Sequence, residues 1–148
     1  MMMKTFAQLA ALGAALVSLL VIPQLAEATA RDAEIKAKKA AFELLQSGYT
    51  NRARFHAGYM KAGDRKMIRT VFHSGNEYKV VANGDEDATN IDVEIYDEDW
   101  KLVGRDEDEA GVAVASAAPK WTGQFYVIVT LKSAQGNAAY TNTVIVYR

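Results

Sequence analysis

Three acidic clusters stand close together in this chain: Asp85, Glu86 and Asp87; Asp97, Glu98 and Asp99; and Asp106 through Glu109. Residue types like these support three chemistries. Calcium takes about six to eight oxygens from Asp, Glu, Asn and backbone carbonyls on bent loops. If the three loops meet at one end of a fold, Asp85, Asp87, Asn90 and Asp92 can supply them, with Asp97 or Asp106 reaching in from neighbouring loops. The same residues also suit plain turns, where short polar side chains bond nearby backbone N–H groups. A paired-carboxylate hydrolase is the least supported, because it needs one sheltered carboxyl with a raised pKa and these loops are very polar. No window matches an EF-hand: counted from Asp85 the twelfth position is Tyr96, and counted from Asp106 it is Ala117.

Other catalytic parts are missing. His56 and His73 have no closely spaced partner, so a metal site built on them lacks ligands. There is no G-x-S-x-G, no phosphate loop and no dinucleotide fingerprint. The chain contains no cysteine, which removes thiolate ligands, cysteine nucleophiles and disulfide staples together. Two tryptophans stand out. Trp100 lies in the acidic turn "DEDWK", where an aromatic side chain either folds back over the sheet edge or presents a flat face to a partner or a sugar. Trp121, just before Thr122 and Gly123, is expected to anchor a corner of the core.

The first thirty residues are expected to be a secretory signal: "MMMK" is a short basic start, an apolar run follows to Pro23, and Ala28-Thr29-Ala30 is a small-x-small cleavage pattern. Cleavage after Ala30 leaves 31–148 as one domain, periplasmic or secreted, with no integral membrane segment. The net charge of −1 hides an asymmetry. Residues 31–70 carry 10 basic and 4 acidic side chains, and residues 71–110 carry 3 basic and 13 acidic. Arg52, Arg54, Lys61, Arg65, Lys66 and Arg69 interleave with Phe55 and Tyr59. In an exported acidic chain this segment is expected to complement the acidic loops or an anionic surface, not nucleic acid.

The elements that must position these residues are one helix and a set of short strands. Residues 31–48 have helical composition, with Ile35, Ala41, Phe42 and Leu45 near one face and Gly48 as C-terminal cap. From residue 52 the period changes to two. In "NIDVEIYD", Ile91, Val93 and Ile95 share one face, and Asp92, Glu94 and Tyr96 the other. "GQFYVIVTLK" is apolar on both faces, so it is expected to be a central strand partly covered by the helix. Seven or eight such strands, separated by Gly, Asn and Asp, predict an antiparallel β-sandwich of jelly-roll type over 52–148.

These motifs resemble the bacterial pre-peptidase C-terminal domain. The resemblance covers residues 66–148: a turn before Tyr78–Val80, the strand Asn90 to Asp97 ending in an acidic turn, and "PKWTG" entering the long strand at Tyr126. It implies a small jelly-roll-like sandwich in a secreted protein. Two positions depart from the family pattern, Asn90 where Asp is frequent and Trp100 where Gly is usual. The expectation drawn from residues and resemblance together is a non-catalytic interaction module with a protein or polysaccharide partner and calcium as the candidate ion. A carbohydrate-binding module built on Trp100 and nearby tyrosines is the alternative.

Overall fold

The computed structural model describes residues 29–148, and the side chains of all of these but 51–54. The basic start and apolar run of the expected signal lie outside the described residues. A helix, α1, spans 29–46 through the expected cleavage point. Eight strands follow: β1 (Thr50–Lys61), β2 (Arg65–Phe72), β3 (Tyr78–Gly84), β4 (Ala88–Tyr96), β5 (Leu102–Asp106), β6 (Val112–Ala117), β7 (Gly123–Ala134) and β8 (Ala138–Tyr147). They form two antiparallel four-stranded sheets, ordered β1-β8-β3-β6 and β2-β7-β4-β5. This is the expected mainly β sandwich preceded by one helix, with β7 in the interior of its sheet as its two apolar faces require.

Alternation decides which side chains enter the core. Ile91, Val93 and Ile95 of β4 and Phe125, Val127, Val129 and Leu131 of β7 are all buried between the sheets. Aromatic rings close one end of that core. Phe72 stacks on Tyr78 with centroids 3.9 Å apart and on Phe125 at 5.0 Å. The buried Tyr78 hydroxyl accepts the His73 N–H at 2.8 Å, so His73 belongs to a structural turn just beyond β2. Gly104 lets β5 pass close to β6: a Cβ there would stand 2.1 Å from the Ser116 carbonyl oxygen.

The helix departs from expectation twice. It packs on the outer face of the β1-β8-β3-β6 sheet rather than on β7, with Ala41 and Tyr49 against Val81, Val144 and Val146. Its buried stripe is Ala33, Ala37 and Ala41, while Ile35, Phe42 and Leu45 point outward. Two stripes satisfy a 3.6-residue period here, and the flat sheet takes the one whose small side chains allow close approach. The helix ends as the sequence requires. Gly48 adopts a positive φ of 86°, and the N–H groups of Gly48 and Tyr49 return to the carbonyls of Leu45 and Leu44, a Schellman termination.

Candidate functional site

The topology separates the acidic clusters. β4 carries the Asp85–Asp87 turn at its start and the Asp97–Asp99 turn at its end, roughly 25 Å apart at a strand's rise per residue. The expected meeting of three loops at one end therefore does not occur. The Asp106–Glu109 loop joins only the first, where the Gly84 N–H donates to Gly111 O at 3.2 Å and the Ile91 N–H to Ala110 O at 2.8 Å.

Each turn uses its own leading carboxylate. Asp85 accepts the N–H of Asp87 at 3.1 Å and that of Tyr140 at 3.0 Å. Asp97 Oδ1 accepts from Asp99 at 3.0 Å and Lys101 at 2.9 Å. Asp106 accepts from Asp108 at 3.1 Å and Val114 at 2.7 Å. This is the turn chemistry of short acidic side chains. Asp87 contributes its backbone carbonyl to the Gln135 N–H at 2.8 Å. Asn90 Oδ1 and Asp92 Oδ1 are buried without a hydrogen-bond partner, but Lys132 Nζ stands 3.6 Å from Asp92 Oδ2, where a cation would compete with it. Burial raises the Asp92 pKa, and the Lys132 charge partly opposes that. Among the described residues no three acidic or histidine side chains are grouped so as to hold a metal ion.

A different set comes together on the outer face of the β2-β7-β4-β5 sheet. Registers place Arg69, Tyr126 and Tyr96 in one cross-strand row. Met67, Ile128, Glu94 and Arg105 form the next row, and Arg65, Thr130 and Asp92 the one after. Glu94 is held from two sides, by the Tyr96 hydroxyl at 2.7 Å and by Arg65 at 3.0 Å. That hydrogen bond is the main reason the Tyr96 pKa is raised.

Trp100 caps the aromatic row. In its turn the Trp100 N–H donates to Asp97 O at 3.1 Å and the Asp97 N–H to Lys101 O at 3.0 Å. Trp100 itself has φ 59°, the left-handed conformation that glycine takes most easily. The position where the resembled family carries Gly thus holds a tryptophan in a glycine's conformation. Its indole lies flat on the Tyr126 ring, centroids 4.4 Å apart and planes within 7°, and the side chain is still 56% exposed. Trp100 therefore both folds back and presents a face. Beside it runs a shallow groove of about 550 Å³ lined by Arg65, Met67, Tyr96, Trp100 and Ile128.

Tyr96, Glu94 and Arg65 were not singled out by the sequence as site residues. Alternation put Glu94 and Tyr96 on the outward face, but only the register shows that Arg65 and Tyr126 stand beside them. Trp121, expected as a corner anchor, is exposed (41%) and keeps only a ring contact with the buried Phe125, centroids 5.9 Å apart. Of the basic segment, Arg65 pairs with Glu94, Lys66 donates to Ala57 O at 3.3 Å, and Arg69 lies 6.0 Å from the Tyr126 ring centroid, while the side chains of Arg52 and Arg54 lie outside the described ones.

No family model and no curated protein matches the chain. Among solved structures it is similar to PliG of Aeromonas hydrophila, a periplasmic inhibitor of g-type lysozyme, at 13% identity and TM-score 0.48 over 64% of this chain and 85% of that one. It is also similar to the pre-peptidase C-terminal domain of Bacillus anthracis collagenase, at 14% identity and TM-score 0.48 over 62% and 87%. A third similar structure is the carbohydrate-binding module CBM36 in complex with calcium and xylotriose, at 12% identity and TM-score 0.40 over 68% and 98%. The second is the domain that the sequence motifs resemble. These are likenesses of fold, and neither partner nor ligand is taken from them.

Proposed function

We propose that the protein is an exported, non-catalytic binding module that recognises a glycan through the Trp100 groove. The observation that carries this reading is the flat Trp100–Tyr126 stack, which holds one indole face outward beside the Arg65–Glu94 pair. A sugar ring has an apolar face of C–H groups, which suits an indole, and hydroxyls around its edge, which suit a guanidinium and a carboxylate fixed side by side. The backbone adds weight: a bulky residue at positive φ costs about 1 kcal/mol or more, and strain of that kind persists where the side chain has work to do. The site's partners are preorganised, since Glu94 is already fixed by Tyr96 and Arg65, so little side-chain entropy remains to be lost on binding.

The test is a glycan array probed with the native protein and with Trp100→Ala, followed by titration of the best oligosaccharide. The reading expects a defined set of glycan hits, weakened about tenfold or more by Trp100→Ala, which corresponds to about 1.4 kcal/mol. An array with no hit removes the glycan reading and directs the search to a protein partner; glycan binding that survives Trp100→Ala unchanged removes the Trp100 groove as its site.

A further inference from the structure

The helix leaves its larger apolar stripe unused. With Ala37 at the centre of the buried face and about 100° per residue, Leu45, Lys38, Arg31, Phe42, Ile35, Gln46 and Lys39 fall within an arc of about 120° facing away from the sheet, with the acids Glu34, Asp32 and Glu43 flanking it. Ile35 is 56% exposed and Phe42 59%. Of the flanking acids, Asp32 pairs with Lys36 outside the arc, and Glu34, at its edge, reaches in to pair with Lys38. The helix is therefore doubly amphipathic: alanines face the sheet, and large apolar residues interleaved with cations face away.

From this we infer that the outward face of α1 docks on an anionic phospholipid surface, with Ile35 and Phe42 entering the headgroup boundary and Arg31, Lys38 and Lys39 against the phosphates. Large apolar side chains alternating with Lys and Arg along one helical face are what such a surface takes up, and the charges complement anionic headgroups. Chain connectivity points the same way. The apolar run that ends at Pro23 stops six residues before the helix begins, a span of at most about 20 Å of extended chain. If that run enters a bilayer, as a secretory signal does, so short a span keeps the helix near the membrane surface. The sandwich would then sit on the membrane through its helix-bearing sheet, with the Trp100 groove on the opposite sheet turned away from the lipid.

The chain's lack of cysteine makes the test direct. An environment-sensitive fluorophore is placed on the full chain through single substitutions Ile35→Cys, Phe42→Cys, Glu43→Cys and Ser133→Cys, and each labelled protein is mixed with vesicles containing phosphatidylglycerol. The inference expects the labels at 35 and 42 to shift to the blue and to be quenched by lipid-borne quenchers. Those at 43 and 133 should stay aqueous. Replacing Arg31, Lys38 and Lys39 together by Gln should weaken the shift at 42 severalfold. Labels that stay aqueous at all four positions, or shift equally at all four, overturn it. So does a shift at 35 and 42 that needs no vesicles and grows with protein concentration, which would assign the face to a second copy of the chain.

Discussion

Trp100 lies flat on Tyr126, 26 residues away in sequence, because β4 and β7 pair Tyr96 with Tyr126 and the turn after β4 folds the indole back across that pair. The contact joins a strained backbone to a stacked side chain, and the two contributions to stability oppose each other.

Trp100→Gly relieves the left-handed strain while losing the stack, so its effect on folding stability is expected to lie within about 1 kcal/mol of zero. Trp100→Ala loses the stack and keeps the strain, and is expected to be about 1 kcal/mol less stable than Trp100→Gly. Chemical denaturation of the three proteins checks the order. Alanine matching or exceeding glycine would mean that φ at this position is not a constraint.

Glu77 joins the beginning of β1 to the end of the chain. It accepts the Tyr49 hydroxyl at 2.8 Å and Arg148 Nε at 2.9 Å, and these two hydrogen bonds hold its pKa below the ordinary carboxylate value. A lowered pKa stabilises the fold above the unfolded-state value, and that stabilisation is lost as pH falls through the folded-state value. Glu77→Gln is expected to lower Tm at neutral pH and to show a smaller further loss on acidification than the native protein. Parallel Tm-against-pH curves for the two proteins would contradict this.

The acidic turns are expected to work without an ion. Excess chelator and then millimolar calcium should leave Tm unchanged, since Asp85, Asp97 and Asp106 already accept backbone N–H groups. Calcium at a hundredfold excess over its Kd would add about 2.7 kcal/mol, a shift of several degrees in a domain of this size. A rise of that order would restore calcium to the account.

Gly104→Ala is expected to destabilise by about 1–3 kcal/mol, because the added methyl meets the Ser116 carbonyl oxygen on β6, a backbone atom that cannot rotate away. Urea unfolding measures it, and a neutral result would mean that β5 and β6 can separate at no cost.

Much of this fold was legible before the structure. The alternation of Ile91, Val93 and Ile95 fixed the inward face of β4, the two-sided apolarity around Val127 to Val129 marked an interior strand, and Gly48 marked the helix end. The helix face was misread because hydrophobicity alone favours Ile35 and Phe42 over alanines, whereas packing on a flat sheet favours closeness. Strand direction scattered the acidic loops: consecutive turns of an antiparallel strand fall at opposite ends, so proximity in sequence did not become proximity in space. The face proposed for binding was half visible. Trp100 was conspicuous as a type, but its neighbours Tyr126 and Arg65 come from other strands, and pairing register is a long-range property that no local pattern carries.

The most direct test of the central claim uses the two indole N–H resonances of the chain, Trp100 and Trp121. Titration of the protein with its best array oligosaccharide, followed by two-dimensional NMR, is expected to move the Trp100 indole signal in step with binding and to leave the Trp121 signal in place. Saturable binding with an unmoved Trp100 signal would contradict the account and place recognition elsewhere on the sandwich.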